Sequence, residues 1–412
     1  MIQRRKVIVG TLSAAAAVAT IGGSAPGSAS AETTAEAGRE KREEKASVPA
    51  APVRLSVTPA SGATAVSPAS PVVVKVENGA LREVAVTAGG TKIDGSVQAD
   101  GTWRSDDALA YGKTYKVVAT ATDGSGASTV KVSGFTTVKP QHLIETTFRA
   151  NAMSPLKKGQ KYGAGQPVII AFSHPVADKA AAEKAIDIAT APAVEGKFYW
   201  ASSQIVHWRP AKYWAKGTTI KVNVNVLGVN LGKGVYGARN ASTHFTIGRQ
   251  LIAINDTKTH RVKVYIDGKL ARDMACSNGR GGYTTGANGQ SIHFWTQAGP
   301  HVVLNKERWH SMSSASYGLS DPSNPYYYAP EDVQYCTRIT YSGEFLHAAP
   351  WNHSLGRANL SHGCVNLGVS DARWVFENFL LGDVAEVKHS PKPLPMWDGL
   401  GDWMVSFDKY GH

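Results

Sequence analysis

Residues 361–366 read SHGCVN. A hydroxyl residue, a histidine, a glycine and a cysteine stand in a row, and an asparagine follows two places on. A thiol attacks a carbonyl carbon efficiently only as a thiolate. It therefore needs a base within reach and N–H donors for the oxyanion that forms. The segment offers the donors: Gly363 permits a tight turn, so the amides of His362, Gly363 and Cys364 are expected to converge on one point. The base is expected from elsewhere in the chain, because the backbone of His362 is committed to the turn. His347 ends the strand-like run ITYSGEFLHA (339–348), while His353 lies in the polar loop WNHSLGRANL (351–360). His347 is the better placed, since a strand end can return beside the turn.

Working outward from this segment, LIAINDTKTHRVKVYIDGKLARDMACSNG (251–279) reads as a β-meander. Ile252 and Ile254 share one face, and Asp267-Gly268 is a strong hairpin turn. Downstream, SDARWVFENFLLG (370–382) reads as a helix with Ser370 as its cap and Trp374, Phe376 and Phe379 as apolar contacts. The tail PKPLPMWDGLGDWMVSFDKYGH (391–412) is Pro-rich and then aromatic, so Trp397, Trp403 and Phe407 are expected to pack back onto the folded body.

Upstream the style changes. VVVKVENG (72–79), YKVVATATDGSG (115–126) and STVKVSGFTTV (128–138) are short β-branched runs broken by Gly, Asn-Gly and Asp-Gly. The same style returns in QPVIIAFSHPV (166–176) and TIKVNVNVLGV (219–229). LAYGKTYKVVATA (109–121) is faintly echoed by YWAKGTTIKVNVNV (213–226), and Pro71 before VVV by Pro167 before VII. The separation is that of one β-sandwich, so the fold class is mainly β. Two tandem immunoglobulin-like domains (53–140 and 141–248) precede a β-rich unit (249–390) with a short helix and the tail (391–412). Neither sandwich has a cysteine pair to bridge its sheets.

The N-terminus carries a basic cluster (Arg4, Arg5, Lys6), an apolar run VIVGTLSAAAAVATIGG (7–23) and the small-residue pattern SASA (28–31). This is the grammar of an export signal, with cleavage expected after Ala31. Left uncut, the same run would anchor the chain in a membrane. Residues 32–52 mix charge, Ala and Pro and read as a flexible tether. Export gives the three cysteines meaning. Secreted chains that use cysteine structurally tend to carry even numbers, so one thiol here has another use. Cys276 and Cys336 sit in apolar, strand-like surroundings and read as small buried residues.

The 412 residues carry a formal charge of +12, or +9 once Arg4, Arg5 and Lys6 are removed with the signal. No basic cluster is interleaved with aromatics, which argues against nucleic-acid binding. No metal-ligand spacing or cofactor motif appears.

An upstream His, a loop, and then Ser361, His362, Gly363, Cys364, Val365 and Asn366 together resemble the signature of the YkuD-type L,D-transpeptidases of bacterial peptidoglycan. SASYG (314–318), ITYSGEFLHAAPW (339–351) and DGLGDW (398–403) resemble the actinobacterial, mycobacterial-type enzymes in particular. The resemblance implies a catalytic domain of that type following the two sandwiches, with the Trp-rich tail folded onto it. Cys364 would be the nucleophile, His347 the base and the Ala348 backbone carbonyl its orienting partner. His362, Gly363 and Cys364 would donate to the oxyanion. Ser342, Gly343, Trp351, Ser361 and Asn366 would line the donor-stem site, with Tyr317, Met312 and Tyr328 on a lid. Two positions depart from the pattern: Ala348, where the subgroup often has Ser, and Thr285-Gly286 in YTTGANG (283–289), where many relatives have Thr-Pro.

The implied partners are peptidoglycan stem peptides, a donor tetrapeptide and an acceptor amine, joined by a 3→3 cross-link without metal or cofactor. Carbapenem β-lactams would be covalent inhibitors. The implied location is the cell wall or the outer side of the membrane. Two other readings fit the same residues: a cysteine hydrolase that uses water as acceptor, and a wall-binding protein whose catalytic unit is dead. The sandwiches read as a spacer, which predicts that a fragment from about residue 249 folds alone.

Overall fold

The computed structural model describes residues 51–411. The expected signal and tether lie outside the described residues. The described residues are mainly β, with two α-helices, Lys179–Lys184 and Val369–Asn378.

The first sandwich stacks two four-stranded sheets. One is ordered Arg54–Thr58, Val73–Glu77, Trp103–Ser105, Gly95–Val97. The other is ordered Thr91–Ile93, Ala80–Ala88, Thr114–Thr122, Ser128–Thr136. Alternation fills the space between them: Tyr115, Val117, Ala119 and Ala121 point inward from one strand, and Tyr115 stacks on Phe135. The second sandwich sets a five-stranded sheet containing Val168–Phe172 and Ile205–Pro210 against a four-stranded sheet containing Thr219–Val224 and Ala241–Ile247. Its core holds Trp208, Trp214, Ile220 and Phe245.

The faint internal repeat has a counterpart in packing. In both sandwiches a glycine lies flat against a tryptophan of the neighbouring strand: Gly95 on Trp103 and Gly196 on Trp208. A Cβ at either glycine would fall 2.1 Å from the indole. The two sandwiches meet at Tyr111, whose hydroxyl donates to the Gly237 carbonyl and accepts from Gly228 N–H, each at 2.7 Å.

The C-terminal unit is a nine-stranded mixed sheet. Its order is Gly299–Val302, Val384–Lys388, Leu251–Asp256, Arg261–Ile266, Lys269–Ser277, Val365–Leu367, Phe345–Ala348, Glu331–Arg338, Asn305–Met312. The meander and its turn are present: Asp267 and Gly268 both have positive φ and join Arg261–Ile266 to Lys269–Ser277. The core face of the first meander strand is Leu251, Ala253 and Asn255. Ile252 and Ile254 do share a face, but it is the opposite, partly covered one.

Val369–Asn378 covers the sheet and buries Ala372 and Val375, with Phe379 buried just beyond it. Each such Val or Phe contributes about 1.5–3 kcal/mol on burial. Trp374 and Phe376 pack at the edge of the same core. The helix begins earlier than the sequence suggests. Gly368 stands at the N-cap in an extended conformation, and Ser370 is exposed within the first turn. Asp371 in that turn suits the positive end of the helix.

The sheet unit packs closely on the second sandwich across residue 249. Gly163 and Gly165 N–H donate to the carbonyls of Leu381 and Gly382, each at 2.8 Å, and Asn151 Nδ2 donates to the Leu304 carbonyl at 2.8 Å. Ile169 shares a small core with Val302, Leu304 and Leu400. The tail wedges between the two bodies and packs on both. Trp403 Nε1 donates to the Gly165 carbonyl, and Arg209, almost fully buried, lies under the rings of Trp403 and Tyr410. Asp402 accepts from the Tyr410 hydroxyl at 2.6 Å and lies 2.8 Å from His207 Nδ1. Phe407 is partly covered, over Lys197 and Arg209. Trp397 departs from expectation: it is 73% exposed.

Candidate active site

Two short parallel strands build the site. Phe345–Ala348 lies beside Val365–Leu367 in the register Leu346↔Val365 and His347↔Asn366. Successive residues of a strand face opposite sides. Leu346, Ala348, Val365 and Leu367 therefore enter the core under the helix. His347 and Asn366 face the other side, and Cys364, two residues before Asn366, falls on that side as well. His347, Asn366 and Cys364 all line one cavity of about 490 Å³.

His347 is 4% exposed. Its Nδ1 lies 2.8 Å from the carbonyl oxygen of Ala348. A carbonyl only accepts, so Nδ1 carries the proton and Nε2 keeps its lone pair. Burial pushes the imidazole pKa down to about 4, against a smaller upward pull from that carbonyl. Cys364 is half-buried. Burial pushes its thiol up to about 12, while the Phe345 backbone N–H pulls the other way. The resting pair is thus a neutral thiol and a neutral imidazole. The thiol donates to the carbonyl of Gly343, with 3.6 Å between sulfur and oxygen. Gly343 has φ +106°, a backbone shape that side-chain-bearing residues rarely adopt.

The turn before the cysteine is braced internally. Ser361 Oγ donates to the Cys364 carbonyl at 2.6 Å and accepts from Gly363 N–H at 3.1 Å. Thr296 Oγ1 donates to the Gly363 carbonyl at 2.6 Å. Ser361 lines the first cavity and, being buried, also shapes the turn. One expectation is corrected: Gly363 N–H is already engaged, which leaves His362 and Cys364 as the amides of this turn for an oxyanion. Gly363 serves through its φ of +140°. The His362 ring is packed among Phe294, Tyr326 and Tyr328, and burial together with Arg280 pushes its pKa down to about 4.

The other sequence-predicted residues divide between two cavities that meet at Cys364. Trp351, Ser361 and Asn366 line the first with His347. Tyr317, Ser342 and Gly343 line the second, of about 590 Å³. Met312, Tyr328 and His362 border both. Tyr317 and Tyr328 belong to a segment closed on itself, where Ser314 Oγ bonds both the N–H and the carbonyl of Tyr328 at 3.0 Å. His353 also borders the first cavity, but it is exposed and its ring has no hydrogen-bond partner among the described residues. Cys276 and Cys336 are fully buried, and burial raises both thiols, Cys276 to about 12.

Known proteins resemble this chain in both of its parts. Residues 249–387 match the L,D-transpeptidase catalytic domain, and residues 63–230 match a bacterial Ig domain. L,D-transpeptidase 2 of Mycobacterium tuberculosis is 37% identical over 361 residues, covering 87% of this chain and 84% of that protein. The chain belongs to the L,D-transpeptidase family. L,D-transpeptidase 5 of the same organism is 34% identical over 370 residues, covering 88% of this chain and 77% of that one. The solved structure of the L,D-transpeptidase LdtMt1 in complex with imipenem is 30% identical, covering 59% of this chain and 99% of that one, with a TM-score of 0.47.

Sequence reading of this L,D-transpeptidase missed the residues beneath the site. Glu344 is buried, and its carboxylate accepts from Gln297 N–H at 3.0 and 3.3 Å. Burial raises its pKa, and the nearby His301 opposes that rise. The available signal was the letter itself: a glutamate in the apolar run EFLHAA needs a buried partner. Arg338, beside Phe345 and lining the second cavity, carried no such signal.

Proposed function

We propose that this L,D-transpeptidase is exported and forms 3→3 cross-links between peptidoglycan stems through a thioester on Cys364. The observation that supports this best is the fixed tautomer of His347, with Nδ1–H on the Ala348 carbonyl and its Nε2 lone pair left for the cavity that Cys364 shares. As Sγ bonds to the carbonyl carbon of the third stem residue, the thiol proton passes to Nε2. The amides of His362 and Cys364 receive the oxyanion. Collapse breaks the C–N bond to D-Ala, and His347 returns the proton to the departing amine. The thioester stays on Cys364. An amine from a second stem enters by the other cavity and loses its proton to His347. Its nitrogen bonds to the carbonyl carbon, the C–S bond breaks, and the thiol is restored. Because the resting pair is neutral, proton transfer accompanies attack.

The same thiol would open the β-lactam ring of a carbapenem and keep the acyl group. The test is mass spectrometry of products from a purified disaccharide–tetrapeptide. A cross-linked dimer lacking one D-Ala is expected, and Cys364→Ala should yield none. A shortened tripeptide without dimer would make the enzyme a hydrolase instead.

A further inference from the structure

The tail reaches the nucleophile through one buried carboxylate. Asp398 is 1% exposed, and three donors converge on it. Its Oδ1 accepts from Ser342 N–H at 2.7 Å, and its Oδ2 accepts from Ser342 Oγ at 2.6 Å and Gln297 Nε2 at 2.7 Å. Both groups it holds line the second cavity together with Cys364. Ser342 precedes Gly343, whose carbonyl receives the Cys364 thiol. Gln297 donates its backbone N–H to Glu344 and follows Thr296, which holds the Gly363 carbonyl. Gly343 and Gly363 both sit at positive φ, where the chain has little intrinsic preference to stay. A brace from outside the loop is what such joints require. Docking of the tail does not need Asp398, since Trp403, Asp402 and Tyr410 attach it to the second sandwich. A buried carboxylate is tolerated only where its bonds are satisfied, and every side-chain bond Asp398 makes goes to the site.

We infer that Asp398 is a positioning residue for the acylation step: it holds the Gly343 carbonyl and the 296–297 segment, and through them the orientation of Cys364. This rests on Cys364 being the nucleophile. The test uses the full mature chain and imipenem, following loss of the β-lactam chromophore by stopped flow. Asp398→Asn keeps the shape but, in either amide orientation, puts a nitrogen where at least one donor points. The saturating acylation rate should fall about 10- to 100-fold, with the half-saturating imipenem concentration changed less than about threefold. Ser342→Ala, an exposed change that does not threaten folding, should lower the same rate several-fold. Asp402→Asn, in the same tail but out of contact with the loop, should lower the melting temperature and leave the acylation rate of folded enzyme within about twofold.

A rate for Asp398→Asn no lower than that for Asp402→Asn would overturn the inference, as would an effect on half-saturation alone. Adduct mapping in the unchanged enzyme separates the two ideas. An adduct on a residue other than Cys364 would remove the nucleophile reading before any variant is compared.

Discussion

Trp403 and Trp397 lie six residues apart in one aromatic tail, and the structure gives them opposite weight. The Trp403 indole shares a small core with Ile169, Val302, Leu304 and Leu400. It meets the Tyr213 ring at a tilt with centroids 4.6 Å apart, lies over the Arg209 guanidinium at 4.7 Å, and donates from Nε1 to the Gly165 carbonyl at 2.8 Å. Full burial would make a Trp→Ala change worth about 3–5 kcal/mol. Trp403 is partly exposed, so Trp403→Ala is expected to cost about 2–4 kcal/mol, including about 1 for the hydrogen bond. At roughly 2–4 °C per kcal/mol for a body of this size, the melting temperature should drop by about 5–15 °C. Trp397→Ala, at a side chain 73% exposed, should shift it by less than about 1 °C. Differential scanning calorimetry of the mature chain reads both. Equal shifts for the two variants, or no shift for Trp403→Ala, would refute the view that the tail clamps the second sandwich to the catalytic sheet.

Replacing Cys364 by Ala should abolish the imipenem adduct seen by intact-protein mass spectrometry, whereas Cys276→Ala and Cys336→Ala should retain it, since both thiols are sealed in the core. His347→Ala should slow acylation about a hundred- to ten-thousand-fold, and His353→Ala less than tenfold, in the same stopped-flow assay. Acylation should fall as pH drops through about 4, where His347 takes up the proton that stops it acting as a base, and not near 6.5, where an exposed histidine titrates. A pH–rate profile with its acid limb centred near 6.5 would contradict the buried, neutral base. A fragment starting at residue 249 should aggregate, and one starting near residue 141 should melt cooperatively and still be acylated, because the interface around Ile169, Gly165 and Arg209 is kept only in the longer one.

That His347 and Cys364 could share one cavity was legible in sequence because the geometry is local. Strand alternation alone sets His347, Asn366 and Cys364 on one face, once the two strands pair. The Ala348 carbonyl follows from the same strand. What lay beyond sequence is contact between distant segments: residues 296–297, 342–344 and 398 come together only in the folded chain. The Gly363 amide was misassigned for a related reason. A turn rich in donors looks like an oxyanion site, but the neighbouring Ser361 hydroxyl competes for one of them. The helix start was misplaced because Ser370 is a good cap by type, while the chain already turns at Gly368. In the tail, composition showed that aromatics must pack but not which ones: Trp403, in the 3₁₀ turn Gly401–Met404, packs inward and Trp397 does not.

The same tail bears on what the sandwiches do. A spacer needs only to span distance, and its contacts with the catalytic unit can be few. The first sandwich fits that description, since it meets the second mainly through Tyr111 and Ser67. The second does not. Its sheet strand Val168–Phe172 sends Ile169 into the catalytic side, its Arg209 is covered by tail rings, and its His207 pairs with Asp402. Four residues before Asp402, Asp398 holds the loop whose Gly343 carbonyl accepts a hydrogen bond from the Cys364 thiol. The second sandwich, the tail and the site loop therefore form one continuous packed path. A change that loosens the second sandwich should therefore lower the melting temperature of the catalytic unit, and one confined to the first sandwich should alter reach alone.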